Sequence, residues 1–157
     1  MSVPDDASSL LGEVGTALLL TPVADALALA ATCVIAKIAA DVVPSEVGAL
    51  AVCRVTQGAA PAEAAGAISR LLRGVPLVLL ESREGQISAS RWLDGNRGDD
   101  LAPGLVLGDA PEVLEDLVLG DTTPADLDGV VSSVGMSRLK AMRILASAAR
   151  AGRKRPA

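Results

Sequence analysis

Two apolar runs decide the fold of this chain: GALAVCRV at residues 48–55 and VPLVLL at residues 75–80. Short apolar runs of this kind are typical of strands, and the second is typical of a strand that is buried on both faces. Between them, Pro61 begins a predicted helix and Gly74 ends it, in positions that favour these two residue types. The sequence therefore predicts a strand–helix–strand unit over residues 48–80.

Further elements are predicted on both sides of this unit. A short helix is expected over residues 5–20, and Thr21 with Pro22 begins an apolar helix over residues 22–41. Residues 86–93 have mixed faces, which favours a returning strand at the edge of the sheet. The predicted fold class is therefore α/β or α+β: a small mixed sheet with packed helices, followed by a C-terminal three-helix unit.

A shift in composition divides the chain into two parts. Residues 94–108 contain four glycines, one proline and three aspartates, which predicts an acidic linker. Residues 1–93 are expected to form an α/β module, and residues 109–157 a three-helix unit. Its predicted helices cover residues 111–119, residues from Thr123 towards Gly135, and residues from Ser137 to about Ala151.

The composition excludes several classes of function. The chain has no His, Phe or Tyr, and Trp92 is its one tryptophan. Without histidine there is no Ser-His-Asp or Cys-His nucleophile system and no His-ligated metal site. The scarcity of aromatic residues excludes binding of single-stranded nucleic acid by base stacking. Since a glycine-rich phosphate motif is also missing, we expect a protein that is not an enzyme and uses no cofactor or metal.

The cysteines and the start of the chain bear on the cellular compartment. Cys33 and Cys53 lie in apolar surroundings without a CxxC spacing, so they are predicted to be small buried side chains. The first six residues are acidic where a signal peptide would be basic, and the apolar helix contains Pro22 and Asp25. We expect a cytoplasmic protein that does not enter a membrane.

Charge is distributed very unevenly along the chain. The net charge is −5, yet residues 94–128 carry ten acids and one base, and residues 129–157 carry seven bases and no acid. Two interpretations stay open at this point. The two blocks neutralise each other in the fold, or the basic segment binds an anionic partner.

The basic segment contains a local sequence similarity. Within residues 127–146, the string Val134-Gly135-Met136-Ser137-Arg138 resembles the turn and the start of the recognition helix in bacterial helix-turn-helix regulators. The resemblance implies a non-catalytic transcription regulator that binds duplex DNA, with Ser137, Arg138 and Lys140 in contact with base edges. It also implies that further cations bind phosphates: Arg143, Arg150, Arg153, Lys154 and Arg155.

Helical spacing agrees with a two-sided C-terminal helix. Ala141, Ile144, Leu145 and Ala148 fall on one side, and Lys140, Arg143, Arg150 and Lys154 fall on the other. One face is therefore expected to pack and the other to be basic.

The apolar helix over residues 22–41 supports a second hypothesis. A helix that is apolar nearly all round is buried in its own protein or covered by a partner. If a protein partner covers it, the chain is a protein-interaction module, such as an adaptor or a secretion or assembly chaperone. Under either hypothesis, residues 1–93 are expected to form a homodimer, with this helix at the interface. The interface residues would then be Val23, Leu27, Ala30, Val34 and Ile38.

Overall fold

The computed structural model describes residues 15–154 of the chain, with side chains as far as residue 150. Over this range the strands are β1 (Thr16–Leu20), β2 (Ala40–Val43), β3 (Leu50–Cys53), β4 (Leu77–Arg83), β5 (Gln86–Leu93), β6 (Asn96–Leu101) and β7 (Val131–Ser132). The helices are α1 (Ala26–Ala36), α2 (Ala60–Leu71), α3 (Pro103–Gly108), α4 (Glu112–Leu119) and α5 (Arg138–Lys154), with a 3₁₀ turn at Pro124–Asp126.

The strands of residues 15–154 form one antiparallel sheet with the order β6-β5-β4-β1-β3-β2-β7. Its centre has the chain order β1-α1-β2-β3-α2-β4 and the strand order β4-β1-β3-β2. Each of the two strand–helix–strand units therefore has a strand of the other unit between its own strands. This arrangement is the split βαβ, or ferredoxin-like, topology.

The predicted fold class is wrong in its sheet and in its C-terminal unit, although the mixture of helices and strands is partly consistent with it. The strands predicted at residues 48–55 and 75–80 are present as β3 and β4, but β1 lies between them. The sheet is antiparallel throughout the described residues rather than mixed.

The helix predicted over residues 5–20 is replaced at its C-terminal end by β1. Leu18 and Leu19 point to opposite faces of the sheet, and both are fully buried, so this apolar segment forms a central strand. Residues 5–14 of that predicted helix lie outside the described residues.

The segment predicted as a linker, residues 94–108, contains β6 and α3. Asp94 and Gly95 both have positive φ, 52° and 89°, and form a two-residue turn that pairs β6 with β5. The same composition that suggested a linker therefore makes a hairpin. Charged residues of β6, including Asp99 and Asp100, cover this edge of the sheet with exposed polar groups.

The predicted three-helix unit does not form. Helix α4 packs against β1 and β4, the residues after Thr123 make only a 3₁₀ turn, and Val131 with Ser132 pairs with β2 as strand β7. Two β-branched valines, Val130 and Val131, follow the Asp128-Gly129 turn, and β-branched residues favour the extended conformation that an open sheet edge can pair.

The sheet is covered on both faces, and this places the surfaces that matter below. On one face, α1 and α2 cover a core that includes Leu19, Leu29 and Ile68. On the other face, α4 covers a core that includes Leu18 and Leu117. Within residues 15–154, no helix combines the length and the apolar character needed to cross a bilayer.

Candidate interaction surface on the C-terminal helix

Helix α5 is fixed to the sheet by the short segment before it. Ser133 is buried, and its hydroxyl donates to the carbonyl of Ile38 at 2.7 Å and accepts from the N–H of Ala40 at 2.9 Å. Gly135 then turns the chain with a φ of 91°, a conformation that favours glycine. The hydroxyl of Ser137 accepts a hydrogen bond from the N–H of Lys140 at 3.1 Å and so caps the helix.

The inner face of α5 packs on α1. Ala141 is fully buried, and Ile144, Leu145 and Ala148 are half-buried, so the packing side of this helix is the one that its spacing predicts. Ile144 and Ala148 line a groove of about 250 Å³ together with Leu27 of α1. The helix therefore lies in a layer outside α1, on the side of the sheet opposite to α4.

The apolar helix is shorter than the sequence predicts, and its own chain covers part of its surface. The helix begins at Ala26 and not at Pro22, because Asp25 accepts the N–H of Leu27 at 3.0 Å, and it ends at Ala36. Much of its surface is covered by the sheet, by α2 and by α5 of the same chain. The residues predicted for the dimer interface are placed accordingly: Ala30 is fully buried, Val23, Val34 and Ile38 are half-buried, and Leu27 is exposed.

The residues predicted to contact nucleic acid are preceded by a strand and a turn, and not by the first helix that the resemblance implies. The segment before Gly135 forms a turn and β7 rather than a first helix, so the residues around Ser137 do not begin the second helix of a helix-turn-helix. Ser137 itself is a helix cap. Arg153 and Lys154 end α5 without described side chains, and Arg155 lies outside the described residues.

The remaining predicted cations have exposed side chains. The side chains of Arg138, Lys140, Arg143 and Arg150 are exposed. Within the described part of the chain, none of them forms an ion pair or a side-chain hydrogen bond.

An apolar stripe runs beside these cations, and the sequence analysis did not assign it. Leu139 is 59 % exposed and Met142 is 53 % exposed, and the exposed residues Ala146 and Ala149 continue the same line. At about 100° per residue, these four positions fall within about 80° of one another, next to Arg143 and Arg150. The 3-4-3 spacing is visible in the sequence and could have revealed the stripe. We call these six residues the outer face of α5.

The part of the acidic block that lies on α4 is on the opposite face of the sheet. Glu112 and Glu115 are exposed, Asp116 is half-buried, and Leu119 at the end of the helix is 44 % exposed. We call these four residues the acidic face of α4. Because the sheet lies between α4 and the α1–α5 layer, the acidic and basic blocks do not neutralise each other on helices α4 and α5.

Both cysteines of the described residues are buried and free of a disulfide. Burial raises the pKa of Cys33 and of Cys53 to about 12, which keeps both thiols protonated and weakly nucleophilic. Cys53 borders a cavity of about 220 Å³ with Lys37 and Glu63. No group of three or more acidic or cysteine side chains that could hold a metal ion occurs in the described ranges.

Comparison of this chain with protein-family models, with curated proteins and with solved structures finds no match.

Proposed function

We propose that this chain is a non-catalytic protein-interaction module that binds an acidic protein surface through the outer face of α5. The observation that carries the proposal is the exposed pair Leu139 and Met142, beside the exposed cations Arg143 and Arg150. This differs from the hypothesis based on residues 22–41, because α1 is already covered by its own chain.

The apolar stripe supplies the reason to expect a partner. Large apolar side chains that line up on a surface favour burial, at about 25 cal/mol per Å² of apolar area removed from water. Helix α5 does not need this side for its own packing, since Ala141 and Ile144 already hold its inner face against α1. The stripe is therefore available to a second protein.

The charge beside the stripe limits what that partner can be. Residues 129–157 contain seven bases and no acid, so a partner with carboxylates at the rim of its apolar surface is favoured. Such pairs contribute more to the rate and specificity of association than to its affinity, and salt screens them.

Duplex DNA is the second candidate, favoured by the exposed Arg138, Lys140, Arg143 and Arg150 on one helix. These side chains suit phosphate contacts, whose affinity falls steeply with salt. A phosphate backbone gives Leu139 and Met142 little apolar surface to bury, however, and this favours a protein partner over DNA.

Two labelled probes separate the candidates by fluorescence anisotropy. One is a synthetic peptide of about three heptads with Leu at a and d and Glu at e and g, and the other is a duplex of about 20 base pairs. The variant Leu139→Gln/Met142→Gln removes the apolar stripe and keeps the charge, and Arg143→Gln/Arg150→Gln does the reverse. The control Leu71→Gln/Arg73→Gln changes an exposed leucine at the end of α2 and an exposed arginine just after this helix.

We expect both outer-face variants to weaken peptide binding about tenfold or more and the control to leave it unchanged. Equal peptide binding by the stripe variant and wild type would overturn the proposal. Tight DNA binding that depends on the two arginines but not on the apolar stripe would also overturn the proposal. The outer face of α5 would then bind phosphates through its charge alone.

A further inference from the structure

The chain itself carries a surface that complements the outer face of α5. The acidic face of α4 has Leu119 exposed at its C-terminal end, with the carboxylates of Glu112 and Glu115 on the turns before it. The outer face of α5 has Leu139 and Met142 beside its cations. The outer face of α5 is thus an apolar strip next to cations, and the acidic face of α4 is one exposed leucine next to carboxylates, so the two surfaces carry charges of opposite sign.

Resting on the function proposed above, we infer that the partner is a second copy of this chain, and that the outer face of α5 in one copy docks on the acidic face of α4 in the next. At 1.5 Å per residue, α4 spans about 11 Å from Glu112 to Leu119 and α5 spans about 17 Å from Leu139 to Arg150, so the acidic face of α4 matches about two thirds of the length of the outer face of α5.

The contact cannot close within one molecule. Helix α4 covers the face of the sheet that contains Leu18, whereas α5 packs on α1, which covers the face that contains Leu19. The two surfaces therefore lie on opposite sides of the sheet. Only a second copy can bring an acidic face of α4 to a given α5.

A symmetric contact between two α5 helices is disfavoured by charge. If Leu139, Met142, Ala146 and Ala149 occupied the a and d positions of a helix pair, Arg143 and Arg150 would occupy e positions on both helices. In an antiparallel pair the e positions of the two helices face each other, and in a parallel pair Arg143 faces Arg138 of the second copy at a g position, so cations face cations in either orientation. Two acidic faces of α4 would repel each other in the same way, so the favoured contact joins unlike surfaces.

Contacts between unlike surfaces leave one free surface at each end of a dimer. Assembly therefore continues until the chains close into a ring or extend as a filament. Since each contact uses two helix faces and exposed charges, we expect association to be weak and sensitive to salt.

The test is sedimentation velocity of the full chain at about 50 mM and about 500 mM salt, over concentrations to about 0.5 mM. Wild type is expected to form dimers and larger species at low salt and to dissociate at high salt. The α5 variant Leu139→Gln/Arg143→Gln and the α4 variant Glu115→Gln/Leu119→Gln are each expected to stay monomeric. The control Leu71→Gln/Arg73→Gln should assemble as wild type does.

Mixing the two monomeric variants gives the decisive result. The α5 variant keeps an intact α4 face and the α4 variant keeps an intact α5 face, so the mixture should form 1:1 dimers and nothing larger. Circular dichroism of each variant shows that it is folded. A mixture that stays monomeric while wild type assembles would overturn the inference, as would a wild type that stays monomeric throughout.

The two proposals fail in different ways. If wild type stays monomeric but the acidic peptide still binds through Leu139 and Arg143, the identity of the partner is wrong and the proposed function stands. If the outer-face variants also leave peptide binding unchanged, both the identity of the partner and the proposed function are wrong.

Discussion

The hydroxyl of Ser133 accepts a hydrogen bond from the backbone N–H of Ala40 at 2.9 Å, and the N–H of Ser133 donates to the carbonyl of Ala40 at the same distance. The same hydroxyl donates to the carbonyl of Ile38. One side chain, only 7 % exposed, thus completes the hydrogen bonding where β2 begins and fixes the path of the chain into α5. The outer face of α5 depends on this anchor for its position.

Replacing Ser133 with alanine should therefore destabilise the fold. Ser133→Ala leaves the N–H of Ala40 and the carbonyl of Ile38 without this partner in a buried site, which costs about 1–3 kcal/mol. Urea denaturation measures the loss, and the exposed Ser147→Ala is the control. A Ser133→Ala protein as stable as the control would show that the anchor contributes little.

The first turn of α5 gives a second prediction. Ser137→Ala removes the oxygen that accepts the N–H of Lys140 and should lower the free energy of unfolding by about 1 kcal/mol. Ser137→Asp keeps an acceptor and adds a negative charge at a helix N-terminus, so its stability should equal or exceed that of wild type. Thermal unfolding followed by circular dichroism compares the three. If Asp is as damaging as Ala, the serine does not act as a cap.

Several helices and strands could be predicted from the sequence, but the order of the strands in the sheet could not. Proline and glycine signals predict α2, and apolar or mixed runs predict β4 and β5, because these signals act within a few residues. No local signal states that β1 lies between β3 and β4. That placement depends on which apolar strand fills the centre of the sheet, and Leu18 with Leu19 provides a segment that is buried on both sides.

The candidate site was predictable to a similar degree. Helical spacing predicts the inner face of α5, and the exposure of Leu139 and Met142 follows from the same spacing. The two-residue strand β7 is too short to leave a sequence pattern, and it is held by pairing with β2. The helix-turn-helix resemblance predicts a helix at the position that β7 occupies. The local similarity therefore could not predict the geometry of the site.

The ion pair between Asp41 and Arg54 should make the stability of the fold depend on pH in the acidic range. The Arg54 guanidinium donates two hydrogen bonds to the Asp41 carboxylate, at 2.7 and 3.0 Å, and this lowers the pKa of Asp41 against the opposing effect of burial. A carboxyl with a lowered pKa in the folded state stabilises the protein above its unfolded pKa, near 4, and this contribution is lost as the pH falls through the folded pKa.

Asp41→Asn should therefore be less stable than wild type at pH 7, by less than about 1 kcal/mol because the pair is partly exposed. The difference should shrink below about pH 4 as the wild-type carboxyl takes up its proton. Urea denaturation at several pH values measures it, with the exposed Glu46→Gln as control. A difference that is equal at pH 7 and at about pH 2 would contradict the role of the ion pair.

The two buried thiols lead to a prediction at high pH. Burial raises the pKa of Cys53 to about 12, and burial with the neighbouring Cys53 raises that of Cys33 to about 12. Since the thiolate is the reactive form, the native protein should react with Ellman's reagent at pH 8 far more slowly than free cysteine does. After unfolding in guanidinium, both cysteines of each chain should react.

The same shifts fix the sign of the pH dependence. A thiol whose folded pKa lies above its unfolded value of about 9 keeps its proton in the folded state, so folding is penalised as the pH rises from about 9 towards 12. Cys33→Ala/Cys53→Ala should lose stability at pH 7, because it leaves space in the core, and should show a flatter decline above pH 9 than wild type. Rapid labelling of a native thiol at pH 8, or an equal alkaline decline in both proteins, would contradict the burial of these groups.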